Sequence, residues 1–323
     1  MDDVSFRRLH RSMLLARRID EEAIALQRQG VLPAYAPAKG QEAAQVGSAA
    51  ALDLTRDFAF PTYRELGVAV AMDVDLVAYL STHLNIWHGG MYDSQAARLA
   101  PFNAVVGGPV THAVGWAMGA KLDETGGAAI TYFGDGASSQ GDVHEAMNFA
   151  GVYRLPVVFF CQNNGWAISV PTTQQVAGGS VAARAAGYGL EGVRVDGNDV
   201  EAVFEATRAA LDRARDGGGA TVIEAMTYRL GPHSTSDDPG RYRSLADERA
   251  WSERDPIARA ARRLPEVEVA EAERHADEVV EQVRKGLLEL TPRPAEELFS
   301  FVYREPTTAL LEQQRVWKES LDV

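Results

Sequence analysis

Ala128-Ala-Ile-Thr-Tyr-Phe133 breaks abruptly into Gly134-Asp135-Gly136-Ala137-Ser138-Ser139-Gln140-Gly141, and Val157-Val-Phe-Phe-Cys161 breaks into Gln162-Asn163-Asn164-Gly165. Each is an apolar run of strand length closed by turn residues. The second is apolar at every position, as a strand buried on both faces must be. Between them, residues 142–153 have helical spacing, with Val143, Met147 and Ala150 along one face, and Pro156 marks the turn into the second run. Residues 137 to 162, 26 positions, separate Gly136 from Asn163. A strand, helix and strand in about thirty residues make one βαβ crossover. Its right-handedness makes the two strands parallel and brings both tips to one sheet edge.

Working outward, residues 192–195 and 221–228 are further strand candidates, separated by a helix over 200–214 and the Gly217-Gly218-Gly219 turn. The first hundred residues read mostly helical, over 4–29 and 41–52, with breaks at Gly30, Pro33, Pro37 and Gly40. Beyond Arg254 the chain is rich in Arg and Glu and reads as helical to its end. Strands alternating with helices predict an α/β fold, a mostly parallel sheet with helices on both faces. We expect a single domain over 1–323, with a helical N-terminal part to about residue 100, an α/β core over about 101–235 and a helical C-terminal part over about 245–323.

Of 323 residues, 46% are hydrophobic and 24% charged, values that exclude a disordered tail, a collagen or a coiled-coil rod. Lys and Arg number 32 against 45 Asp and Glu, a net charge of −13. Such an excess repels nucleic acid and anionic membrane, so neither is an expected partner. Any phosphate bound here must be held by local cations, a metal or backbone amides. The lone Cys161 cannot form an internal disulfide, which fits the reducing cytoplasm. No apolar stretch is long enough to span a bilayer. Arg7, Arg8, Arg11, Arg17 and Arg18 sit among Asp2, Asp3, Asp20, Glu21 and Glu22, so the N-terminus reads as a folded amphipathic helix rather than a transit segment.

Parallel sheets carry their functional residues at the carboxyl ends of strands. Besides the two tips above, a third polar cluster, Arg229-Leu-Gly-Pro-His233-Ser234-Thr-Ser236-Asp-Asp238, follows the last strand candidate. The Asp135 carboxylate and a carboxamide oxygen of Asn164 or Asn163 can face one small volume. Hard oxygen ligands suit Mg²⁺ rather than zinc. The glycines beside Asp135 let amides approach a phosphate, and the following helix offers its positive end. The pattern reads as a metal–diphosphate site. A dinucleotide site fits less well: its third glycine falls on Ser139, and Arg154 stands where an acid is needed. The Walker pattern and the GxSxG elbow are absent.

Gly134-Asp135-Gly136 with Asn163-Asn164 at this spacing resembles the thiamine-diphosphate-binding motif. The stretches GDGASSQGDVHEAMNFAGVYRLPVVFFCQNNGWAIS and YRLGPHSTSDDPGRYR resemble the alpha subunit of the dehydrogenase component of 2-oxo acid dehydrogenase complexes. The similarity runs over most of the chain and is strongest for the branched-chain (2-oxoisovalerate) enzymes, with pyruvate and acetoin dehydrogenases close behind. The resemblance implies that Asp135, Asn164 and the Trp166 carbonyl bind Mg²⁺ and that Gly136 and Ala137 donate amides to the diphosphate. It likewise implies that Tyr63 and Arg64 grip the diphosphate, that the segment from Ala104 through Val106 to Gly108 holds the aminopyrimidine by its backbone, and that His233 is the catalytic histidine assisting acyl transfer. Gln162 stands where branched-chain relatives often have Arg, which removes one phosphate contact. The implied partners are a beta subunit, in a heterotetramer of two alpha and two beta chains, a lipoyl-bearing transacylase core and a small 2-oxo acid substrate.

Other residues are read more plainly. His83, His88 and His112 are less distinctive; His88, which could line the substrate entrance, is expected to be structural, and Cys161 is expected to be an inert packing thiol. Ser234, Ser236 and Ser244 lie in the loop that mammalian relatives phosphorylate, where added charge beside His233 would repel the diphosphate. A nicotinamide oxidoreductase and a non-catalytic scaffold are the readings from other classes.

Overall fold

The computed structural model describes residues 2–84 and 92–321. Five parallel strands form the main sheet: β1 (Phe58–Phe60), β2 (Ala129–Gly134), β3 (Val157–Asn163), β6 (Glu191–Asp196) and β7 (Thr221–Met226), in the order β1-β2-β3-β7-β6. A two-stranded hairpin, β4 (Trp166–Ala167) with β5 (Val170–Pro171), follows β3 directly. The predicted crossover is present: β2 and β3 are neighbours in parallel register, Gly134 opposite Gln162, joined by the helix Gly141–Tyr153.

All seven residues of β3 are buried, because helices cover both faces of the sheet. Side chains alternate between the faces as the pleat requires. Ile130, Tyr132, Val158, Phe160 and Ile223 join one core with Ile19, Leu26, Val203 and Leu211 from the helices Asp3–Arg28 and Val200–Arg215. Phe133, Val157, Phe159, Cys161 and Val222 join the other with Val110, Val143 and Met147 from the helices Gly108–Leu122 and Gly141–Tyr153.

This division locates the site. The chain crosses from β2 to β3 in one direction along the sheet with its helix on one face. It then crosses from β6 back to β7 in the opposite direction with its helix on the other face. The two crossovers therefore approach β3 and β7 from opposite sides and on opposite faces, and the direction of connection reverses there, leaving a crevice at the carboxyl ends of those strands.

One expectation needs an addition and two need correction. The N-terminal hundred residues hold a strand, β1, at the sheet edge; three residues are too few to show a period. The last strand ends at Met226 rather than 228, because the chain then leaves the sheet and the Thr227 hydroxyl donates to the Gly40 carbonyl at 2.8 Å. The C-terminal part is not continuously helical: its helices at Pro256–Ala261, Glu266–Glu289 and Thr308–Leu321 are divided by segments containing Pro265, Pro292 and Pro294. The longest of these packs against the N-terminal helix, with Ala272 and Ala276 meeting Leu14. Among the described residues no helix is long and apolar enough to cross a membrane.

Candidate active site

The crevice receives three chain segments. After β2 come Asp135 and Gly136 and the single turn Ala137–Ser139; after β3 come Asn164 and the hairpin; after β7 come Arg229 and His233. With Gln41, the Tyr63-Arg64-Glu65 segment and Val106 they line a cavity of about 300 Å³.

Asp135 is 1% exposed. Its Oδ2 accepts from Thr172 Oγ1 at 2.5 Å and from Gln175 Nε2 at 3.1 Å, while the buried Oδ1 has no partner among the described residues. Burial pushes this carboxyl above the usual carboxylate range, against those two bonds. A buried carboxylate oxygen left without a donor is a feature that a cation would explain. Among the described residues no three His, Cys, Asp or Glu side chains cluster to hold a metal by themselves. A cation here would draw on amide, carbonyl and ligand oxygens besides Asp135.

The two asparagines divide their work. Asn164 lines the cavity, its Nδ2 donating to Gln41 Oε1 at 3.0 Å and its Oδ1 accepting from the Trp166 amide at 3.2 Å. Asn163 turns away to Glu224, donating to its Oε1 at 2.7 Å. The Trp166 carbonyl accepts from Arg229 Nη1 at 3.3 Å. Gly136 permits the hairpin to close over the first tip, since a Cβ there would lie 2.7 Å from Ala167 Cβ. Gly165 turns the chain into that hairpin with φ +86°, in the left-handed region.

Two guanidinium groups face the cavity of this acidic protein. Arg64 donates to the carbonyls of Pro37 and His233, the latter at 2.9 Å, and its Nη2 lies 3.2 Å from His233 Nδ1. Arg229, 1% exposed, donates to the Ile168 carbonyl at 2.9 Å, and burial beside Arg64 and Arg243 pushes it down to about 10, still charged at neutral pH. Burial and the same cations push His233 down to about 4. Because arginine can only donate, His233 Nδ1 accepts and the ring proton sits on Nε2. The loop behind it is fixed by Asp237, whose Oδ2 accepts from the His233 amide at 2.8 Å and the Tyr242 hydroxyl at 2.5 Å.

Of the residues singled out from the sequence, Tyr63, Arg64, Val106, Asp135, Gly136, Ala137, Asn164, Trp166 and His233 meet at this cavity. Ala104 is exposed and stands outside the lining, which its segment reaches through Val106 and Gly107. His83 is wedged between the rings of Tyr35 and Phe102, and His112 is exposed away from the cavity. His88 lies outside the described residues. Cys161 is wholly buried, and burial pushes its thiol well up, in keeping with a packing role. The Ser234 and Ser236 hydroxyls are 3.0 Å apart, and Ser244 caps the helix Leu245–Ser252 by accepting from the Asp247 amide. Sequence reasoning assigned no role to Gln41, Glu65 or Arg229 and missed Thr172 and Gln175. Arg229 opened a polar cluster and Glu65 follows the Tyr63-Arg64 pair, so both could have been found there; the others come from segments with no recognisable spacing.

A model of the family described as the dehydrogenase E1 component matches residues 10–296. The 3-methyl-2-oxobutanoate dehydrogenase subunit alpha of Mycobacterium tuberculosis is 42% identical, over 99% of this chain and 89% of its own length. The 2-oxoisovalerate dehydrogenase subunit alpha of Bacillus subtilis is 37% identical over 94% of this chain and 93% of its own. The pyruvate dehydrogenase E1 component subunit alpha of Bacillus cereus is also 37% identical, over 99% and 87%.

Proposed function

The chain belongs to the dehydrogenase E1 component family, and on that premise we propose that it is the alpha subunit of a thiamine-diphosphate-dependent 2-oxo acid dehydrogenase acting on branched-chain 2-oxo acids of the 2-oxoisovalerate type. The observation that carries this reading is the buried, unpartnered Oδ1 of Asp135 in a cavity that also presents two guanidinium groups and a neutral histidine.

These residues fit a magnesium diphosphate. The side-chain oxygens of Asp135 and Asn164 and the Trp166 carbonyl would hold Mg²⁺, an all-oxygen set of the kind that ion prefers. Arg64, seated beside Tyr63, would clamp the diphosphate with its fork of donors, and the Gly136 and Ala137 amides would approach it from the turn. The backbone from Ala104 to Gly108 would hold the aminopyrimidine, with Val106 at the cavity wall. Bound thiamine diphosphate supplies the electron sink that lets a 2-oxo acid lose CO₂. His233, neutral with its ring proton on Nε2, would assist acyl transfer to a lipoyl group by offering that N–H as a hydrogen-bond donor. The alpha subunit works with a beta subunit that completes the cleft, in a heterotetramer of two alpha and two beta chains. A lipoyl-bearing transacylase core receives the acyl unit. The lone buried thiol supports a cytoplasmic location.

Pyruvate is the second reading, because the relative carrying that name is as similar as one of the branched-chain relatives. The test is co-expression with a candidate beta subunit and decarboxylation assays with an artificial electron acceptor, with and without thiamine diphosphate and Mg²⁺. The panel is 2-oxoisovalerate, 4-methyl-2-oxopentanoate, pyruvate and acetoin. Cofactor-dependent turnover led by the branched acids is expected. A lead for pyruvate or acetoin moves the substrate alone, and turnover indifferent to the cofactor overturns the reading.

A further inference from the structure

We infer that Gln162 and Gln45 are positioning residues: a buried amide clamp that holds the backbone of Arg64 in register with the tip of β3. Gln45 and Gln162 are 0% and 2% exposed, and Glu65 beside them is 1% exposed. Gln45 spends both Nε2 hydrogens, one on the Arg64 carbonyl at 2.9 Å and one on Gln162 Oε1 at 3.0 Å. Its Oε1 accepts from the Gly67 amide at 2.8 Å. Gln162 Nε2 donates to Glu65 Oε1 at 2.6 Å, and Glu65 Oε2 accepts from the amide and hydroxyl of Thr62. The backbone of residues 62–67 is thus held at Arg64 and Gly67 by Gln45, on the helix Glu42–Ala49, and at Thr62 by Glu65, and Gln162 on β3 bonds both of these side chains.

The next residues of that strand end are Asn163 and Asn164, so the clamp ties the position of Arg64 to that of Asn164. The side chain of Arg64 is held separately, by the Pro37 and His233 carbonyls. Two sets of contacts, one on the backbone and one on the guanidinium, are what a cation needs to meet a ligand in a fixed place. An arginine at position 162 could not accept from Gln45, so the clamp depends on a carboxamide there. Gln162 also lines the cavity beside Arg64, so the test must separate a role through Arg64 from a direct one.

The inference rests on the thiamine diphosphate reading, and its test separates the two. Thiamine diphosphate affinity is measured by calorimetry on the cofactor-free alpha–beta assembly in Mg²⁺, for wild type, Gln162→Met, Gln45→Met, Arg64→Met and the double variant Arg64→Met/Gln162→Met. Each glutamine variant should bind the cofactor about 10- to 100-fold more weakly, the range typical of outer-shell partners. In the Arg64→Met background, Gln162→Met should cost less than about twofold, since the clamp acts through Arg64. A merely structural role would lower the melting temperature and add the same loss in both backgrounds. Should Gln162→Met fail to assemble, Gln45→Met carries the same cycle. Wild-type affinity in both glutamine variants, or equal losses with and without Arg64, overturns the clamp alone. A wild-type assembly that does not bind thiamine diphosphate overturns the cofactor reading and the clamp with it.

Discussion

A carboxylate as buried as Asp135, with one oxygen unpartnered, costs the fold stability unless something cationic meets it. Asp135→Asn keeps the shape and removes the charge. Without cofactor, the variant should melt a few degrees higher than wild type. Mg²⁺ and thiamine diphosphate should raise the wild-type melting temperature by mass action and leave that of the variant unchanged. Melts with and without cofactor check both halves, and equal stabilisation of the variant would remove Asp135 from the site. Asp20 is a second buried acid, and it titrates. Its Oδ1 accepts from the Tyr35 hydroxyl and the Ala38 amide, each at 2.8 Å, its Oδ2 has no partner among the described residues, and burial pushes it up to about 6. A carboxyl raised in the folded state binds its proton there more tightly than in the unfolded chain, so its cost to stability is absent below pH 3.8 and complete above about 6. Asp20→Asn should therefore gain stability over wild type at pH 7, by at most about 3 kcal/mol for a shift of about two units. The gain should vanish in denaturant titrations near pH 4; a constant difference across that window would clear Asp20 of the penalty. Both acids are visible in the sequence, but only Asp135 was legible as a site residue. It follows a strand at a fixed distance from a second polar tip, whereas Asp20 and Gln45 lie on helices whose partners arrive from elsewhere in the chain.

Among the elements, the central crossover was readable because its period, turns and length agree with one another. β1 was not: its three residues take their conformation from pairing with β2, Phe58 opposite Ala129, and not from local preference. The hairpin β4–β5 was equally hidden, although it closes the crevice from above the Gly136 turn. That contact can be tested as a pair. Gly136→Ala would drive a methyl into Ala167 and should weaken cofactor binding at least tenfold, with little change in melting temperature. Ala167→Gly in the same chain should restore most of the affinity by returning the space. Isothermal titration of the single and double variants decides it, and a double variant no better than the single would show that the collision is not the cause. The order of residue types at the third tip, Arg229 then His233, was legible as a polar cluster. Its joining to Arg64 was not, because Arg229 lies 165 positions beyond Arg64 along the chain.

At the scale of the molecule, the acidic excess and the two cavity arginines divide the surface from the site: charge repels polyanions outside while local cations await a small one within. The strand order β1-β2-β3-β7-β6 has a further consequence, for the ribosome rather than for the reaction. The strand that sits between β3 and β6 is the last of the sheet to be made. While the first two hundred residues emerge, β3 and β6 each present an unpaired edge, and one strand not yet translated must slot between them. A chain cut after residue 219 keeps those two edges for good and should sediment with aggregates, while the full chain stays dispersed; a dispersed truncation would show that the two part-sheets manage alone. The parts of the crevice that follow β2 and β3 exist early, but Arg229 and His233 can join them only once β7 is in place. The chain cannot bring Arg229 and His233 to the crevice until its sheet has closed, so ligand binding that depends on them doubles as a report that β7 has taken its place between β3 and β6.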